Sequence, residues 1–172
     1  MSTGQSVQPS QTTYNPASKW LNLRSVAIVL IIFGLIVSGY LSYVKLTDVQ
    51  MACPGEGSGF DCGAVQNSIY AELPPRSGIA IAWLGFATYL VIFGLVLFEK
   101  RIPFLREWGI PMTFGIVLFA FLFSAYLVYV QAVLIKAFCA WCLMHEANMT
   151  LLFGVYIIRL IKFLNKPDVN NV

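Results

Sequence analysis

Four long apolar stretches divide the chain, at residues 26–44, 78–98, 109–135 and 137–158, with short polar segments between them. Each is close to the roughly 20 residues that a helix needs to cross the hydrocarbon core of a bilayer. The first three contain no Asp, Glu, Lys or Arg, and the fourth carries only His145 and Glu146. The pattern predicts an all-α integral membrane protein, a four-transmembrane-helix bundle with no soluble domain. Composition agrees: of 172 residues 58% are hydrophobic and only 11% charged, with a mean hydropathy of +0.74, far more apolar than a soluble domain of this size.

The connections are unequal. Residues 45–77 form the one sizeable polar loop, and within it Ala64, Val65, Ser68 and Ile69 have helical spacing, which predicts a short amphipathic helix on the membrane surface, ended by Pro74 and Pro75. Residues 1–18, rich in Ser, Thr and Gln, lack the apolar surface to fold alone and are expected to be a disordered tail, with a second polar tail over 164–172. The membrane domain then spans 19–163. The first apolar run begins late, is of membrane length and ends without a small-residue cleavage site, so it is expected to stay as an anchor.

Basic residues favour cytoplasmic loops. With the amino terminus inside, Lys19, Arg24, Lys100, Arg101, Arg106, Arg159, Lys162 and Lys166 are cytoplasmic, and only Lys45, Arg76 and Lys136 are outside. Eight against three predicts a multi-pass protein of the cell membrane with both termini cytoplasmic. The net charge of +3 is accounted for by these helix rims, so no nucleic acid partner is implied.

That orientation brings all four cysteines to the outer, oxidising side, where disulfides persist. Cys139 and Cys142, in Phe138-Cys139-Ala140-Trp141-Cys142-Leu143, stand one helical turn apart at the edge of the last apolar run. A pair so spaced closes a short, readily reduced disulfide with one face toward water and one toward lipid. Cys53 and Cys62 flank a Gly-rich span that bends easily and lets their thiols approach. A loop pair beside a helix-borne pair suggests a relay. Two structural disulfides are the plain alternative. A four-thiolate zinc site is disfavoured by the loose loop spacing, so no metal is expected.

His145 and Glu146 follow Cys142 on or beside its helical face, where an ionisable residue is expensive and usually has a purpose. Proton delivery or ligand contact stands against a protonated carboxyl hydrogen-bonded to Asn148 or to a neighbouring helix, and a neutral interfacial imidazole. Trp83, Tyr89, Tyr126 and Trp141 are candidates for lining a ring-binding pocket, though interface aromatics are common.

The whole constellation resembles the vitamin K epoxide reductase family. The resemblance rests on Gly39-Tyr40-Leu41-Ser42-Tyr43-Val44-Lys45, on Cys53, on Cys62-x-x-Val65-x-x-Ser68, and on Phe138-Cys139-Ala140-Trp141-Cys142 heading the fourth helix. In the Dsb-type quinone reductases the closely spaced pair comes first; here the order is reversed. The resemblance implies a four-helix bundle enclosing a quinone of the menaquinone, ubiquinone or phylloquinone type. It implies that Cys53 meets a thioredoxin-like (DsbA-like) thiol protein, Cys62 exchanges with Cys139, and Cys142 faces the quinone, with Ser68 supporting the pocket. The chain departs from animal members at Ile81, where they carry an asparagine, and at Glu146, where they carry a tyrosine. Many prokaryotic members are fused to a thioredoxin-like domain, and here the partner is expected to be a separate protein.

The function expected is that of a membrane thiol oxidase, which promotes disulfide formation in an outer-side partner and passes the electrons to a quinone. The alternatives are a quinone-epoxide reductase using the same relay, and a non-enzymatic four-helix scaffold with two structural disulfides. The expected site is Cys53, Cys62, Cys139 and Cys142 for the chemistry, with Ser68, Trp83, Tyr89, His145 and Glu146 around the quinone.

Overall fold

The computed structural model describes residues 16–75 and 77–165. The tail expectations for 1–15 and 166–172 lie outside these residues, as do Arg76 and Lys166 from the charge count, and of Lys19 only the backbone is described. The helices are α1 (Pro16–Thr47), the short α2 (Cys62–Gln66), α3 (Ile81–Phe98), α4 (Pro103–Tyr129) and α5 (Ala140–Leu164). A single 3₁₀ turn, Ile69–Ala71, follows α2, and α4 runs on into a π-helical turn, Val130–Ile135. Four segments are long and apolar enough to cross a membrane: Leu23–Thr47, Ile81–Phe98, Pro103–Ile135 and Ala140–Leu164. The chain is an all-α membrane bundle.

The helices outrun the apolar stretches. α1 begins at Pro16 and α4 at Pro103, because a helix that leaves the apolar layer keeps its backbone paired whatever its side chains are. Pro103 at the start of α4 loses nothing there, since the first turn's N–H groups have no intrahelical acceptor. α1 packs against α3 and α5, while α4 packs against α5 and, over a smaller face, α3. Ile31, Tyr89, Ile92, Val117, Leu152 and Tyr156 make the core between them. The outward faces are equally apolar: Val29, Ile36, Phe119 and Leu151 are each more than 60% exposed, as suits lipid rather than water.

Polar groups inside the bundle are paired across helices. Asn148 on α5 donates to Leu30 O at 3.0 Å and to the Tyr89 hydroxyl at 2.9 Å. That contact needs Gly34, where any Cβ would overlap the Tyr89 ring. At the end of the bundle away from the cysteines, Arg159, 2% exposed, donates to both carboxylate oxygens of Glu99 at 2.7 and 2.8 Å and lies 5.2 Å from the Tyr156 ring centroid. Truncating one member of so buried a pair leaves the other charge uncompensated. Arg159→Leu is expected to destabilise the fold by about 3 kcal/mol, seen as a lowered midpoint of thermal unfolding in detergent. Arg159→Lys, which keeps the charge, should lose less.

Candidate redox site

The loop between α1 and α3 and the link between α4 and α5 meet at one end of the bundle, and all four cysteines lie there. Residues 48–61 are held by few regular elements, and Gly55, Gly57 and Gly59 all take positive φ, which lets the segment fold back on itself. Its tip is strapped to the chain before α5: Phe60 and Phe138 form an isolated bridge, and Asp61 N–H donates to Phe138 O at 2.9 Å. Asp61 also caps α2, its side chain accepting from Ala64 N–H at 2.8 Å. Cys62 is therefore the first residue of a capped helix, pressed onto the start of α5.

Two further contacts fix the loop. Trp141, inside the Cys-x-x-Cys segment, donates its indole N–H to Ala52 O at 2.9 Å and packs at a tilt on Tyr40, centroids 4.8 Å apart. Lys45, at the end of α1, donates to Gln66 O at 3.2 Å and lies 3.8 Å from the Glu72 carboxylate. The residues beside both loop cysteines are thus tied to the helix that carries the other pair.

Cys53 and Cys62 are joined, with S–S 2.07 Å and Cα–Cα 5.7 Å, while Cys139 and Cys142 are free thiols. Cys62, Val65 and Cys139 form one buried cluster, with Cys53, Ile135, Trp141 and Cys142 packed around it. Cys62 is 1% exposed and Cys139 0%; Cys53 sits half-buried at the rim. Cys139 is the N-cap of α5, one residue outside the span that begins at Ala140, and its Sγ accepts from Cys142 N–H at 3.4 Å. The Cys142 thiol donates to the same sulfur, and with the Cys142 and Trp141 N–H groups it outweighs burial, lowering the Cys139 thiol to about 7. A thiolate is the nucleophile in disulfide exchange, and the contacts that lower the Cys139 thiol favour that form.

Under the loop lies a cavity of about 310 Å³, at the small end of the range for ligand pockets. Ile81, Leu84, Phe119, Phe123, Leu127 and Met149 give it apolar walls. Cys142 stands in one wall, and the polar groups are few: Ser68, Ser124, Gln131, His145 and Glu146 among them. Ser124 on α4 donates its hydroxyl to the Glu146 carboxyl on α5. Mostly apolar walls with some polar groups, beside a thiol, suit a ring that carries carbonyl oxygens. Among the described residues no group of three or more His, Cys, Asp or Glu is placed to hold a metal ion.

Residues 25–157 match the family model of the Vitamin K epoxide reductase family. The chain belongs to that family. This vitamin K epoxide reductase family member is therefore a multi-pass membrane oxidoreductase, and the scaffold alternative falls. The family uses quinones and works with redox partners.

Of the residues expected around the ring, Ser68, His145 and Glu146 line the cavity; Trp83 and Tyr89 do not. Trp83 lies in the first turn of α3, 38% exposed, between Ala82 and Leu84, which do line the cavity. Tyr89 is fully buried in the bundle core behind the cavity, meeting His145 edge-on at 5.4 Å between centroids. Glu146 meets the neighbouring helix α4, through Ser124, rather than Asn148, which is taken by Tyr89 and Leu30. Ile81, a departure from the animal pattern, is a cavity wall. Gln131 carries no signal in the sequence: it is 5% exposed in the π turn, and its side-chain oxygen accepts from Cys139 N–H at 3.0 Å.

Proposed function

We propose that the protein is a thiol oxidase that takes two electrons from an extracytoplasmic thioredoxin-like partner and delivers them to a membrane quinone. The observation that carries this reading is the continuity of the site: a half-buried loop cysteine, its disulfide, a buried thiol and a cavity-wall thiol lie in one packed cluster. Positive-inside bias supports placing the cysteine end outside and both termini in the cytoplasm.

The relay balances in four steps, three thiol–disulfide exchanges and one oxidation. A partner dithiol attacks Cys53 of the Cys53–Cys62 disulfide, becomes oxidised and leaves two loop thiols. Cys62 then attacks Cys139 of a Cys139–Cys142 disulfide and frees the Cys142 thiol. Cys53 attacks Cys62, restores the loop disulfide and releases Cys139. Closing Cys139–Cys142 again gives up two electrons and two protons. A bound quinone supplies the acceptor for both. The arrangement observed, loop oxidised and helix pair reduced, corresponds to the stage just before that last step. Strongly oxidising thiol proteins sit near about −120 mV, and a quinone still draws electrons from them.

Ser124, His145 and Glu146 surround the place where those protons are needed. Glu146→Gln keeps the size of the side chain and an acceptor for Ser124 but removes the titratable proton. It is expected to slow turnover about 100-fold, the low end of what a positioned general acid contributes, and to flatten the pH profile while quinone binding persists. An unchanged rate and profile would show Glu146 to be structural.

The decisive assay combines purified protein, a reduced thioredoxin-like substrate and a soluble quinone, followed by quinone absorbance. Thiol-dependent bleaching at catalytic protein concentration is expected. Failure with every quinone, together with turnover of a quinone epoxide, would assign the same relay to epoxide reduction.

A further inference from the structure

Gln131 lies eight residues before Cys139, in the π turn that ends α4, and is almost fully buried. A main-chain N–H only donates, so the atom facing Cys139 N–H at 3.0 Å is the amide oxygen. The other end of the carboxamide, an NH₂ with two hydrogens to give, has no acceptor among the described residues. Gln131 also lines the cavity into which Cys142 opens. A donor with no protein acceptor, beside an apolar chamber, is an incomplete hydrogen-bonding arrangement that a carbonyl oxygen completes.

The π turn explains how one side chain serves both places. An i→i+5 turn inserts an extra residue into the helix and rotates the residues beyond it, a device frequent at functional sites. Lys136 then takes left-handed backbone, φ 56°, and the chain reverses within four residues to present Cys139 as the cap of α5. Gln131 is carried on the widened turn directly opposite that cap.

We propose that Gln131 is a positioning residue for Cys139, holding its main-chain N–H, and that its NH₂ group is the hydrogen-bond donor to a quinone carbonyl oxygen. One side chain thereby links an occupied cavity to the location of the relay thiol. The second half of this proposal rests on the quinone reading above; the first does not.

Two variants of the full chain separate the halves. Gln131→Leu removes acceptor and donor, whereas Gln131→Glu, assayed at mildly alkaline pH so that the carboxyl is ionised, keeps the acceptor and removes the donor. Without any quinone, each is combined with Cys142→Ala, and the Cys62–Cys139 mixed disulfide is quantified by mass spectrometry of unreduced peptides. Gln131→Leu should lower it about fivefold, and Gln131→Glu should stay within about twofold of the Gln131 parent, as expected for one hydrogen bond lost or kept. Binding of a short-tailed benzoquinone, measured by equilibrium dialysis with Cys142 present, should weaken about fivefold in both variants. An unaltered mixed disulfide in Gln131→Leu would overturn the positioning role. Native binding by Gln131→Glu would overturn the donor role. If Gln131→Leu fails to fold, Gln131→Glu still decides: normal mixed disulfide with weakened binding supports the proposal, and any other pattern overturns it. Absence of benzoquinone binding in the unaltered protein would instead overturn the quinone reading, with the mixed-disulfide comparison still deciding the role of Gln131 toward Cys139.

Discussion

Cys142→Ala is expected to abolish quinone reduction with either a protein thiol or a small dithiol as donor, a loss of about a thousandfold or more. Among the four cysteines it is Cys142 that lines the cavity, where a lipid-soluble ring would have to sit. Cys139, fully buried between the loop and α5, has no such access, and the loop pair lies on its far side. Without Cys142 the helix pair cannot close a disulfide, so two electrons have no paired route out. A small dithiol bypasses the loop but not this last step, which is why both donors fail together. Quinone absorbance gives the rate, and equilibrium dialysis of the same variant gives binding, which should persist because the walls are otherwise intact. Turnover retained in Cys142→Ala would remove it as the quinone-facing thiol. The same loss in Cys139→Ala would support the pair acting as a unit.

The bundle was legible because its signal is compositional. Twenty apolar residues without a charge have few other uses, and four such runs place four helices before any packing is considered. Their ends were less so: hydropathy registers where apolar side chains stop, not where backbone hydrogen bonding stops. Between the third and fourth helices the failure is instructive. Residues 109–135 and 137–158 abut in hydropathy, leaving only Lys136 between them, yet the chain inserts a π turn, a left-handed residue and an extended Phe138 before α5 begins at Ala140. A three-residue difference in the helix start decides whether Cys139 is a residue within a helix or its cap. As the cap it receives the Cys142 thiol and, in smaller part, the Cys142 and Trp141 N–H groups, which together lower its thiol.

The cysteines stood out because spacing alone constrains what two thiols can do. The residues around the cavity give a weaker signal in the sequence, since they are selected by helix phase. Trp83 and Tyr89 are aromatic and on the right helix, but the α3 residues that reach the cavity are Ile81, Ala82, Leu84, Gly85 and Thr88. A lone Gln in an apolar run gives no periodic signal at all. Gln131 becomes meaningful only when the reversal after it brings Cys139 back within 3.0 Å. Likewise Ser124 and Glu146 are separated by 22 positions, and their pairing is a property of how α4 lies on α5.

Replacing Cys53 by Ala is expected to reduce oxidation of a protein partner to background while leaving part of the rate with a small dithiol. Cys53 is the half-buried member of the loop pair and Cys62 the buried one, packed with Cys139, so a bulky partner reaches the first and not the second. In the proposed relay Cys53 has a second duty: its thiol would resolve the Cys62–Cys139 mixed disulfide and regenerate the loop bond. In Cys53→Ala that resolution is lost, and Cys62 joined to Cys139 should accumulate, visible by mass spectrometry of unreduced peptides. A small dithiol can still act, because the loop is no longer closed by its own disulfide and the helix pair is open to a small reagent. The reciprocal variant tests the assignment from the other side. Cys62→Ala should give no equivalent Cys53–Cys139 bond, since Cys62 is a fully buried member of the cluster that contains Cys139, whereas Cys53 lies half-buried at its rim. Abundant Cys53–Cys139 in Cys62→Ala, with partner oxidation intact in Cys53→Ala, would exchange the two loop roles.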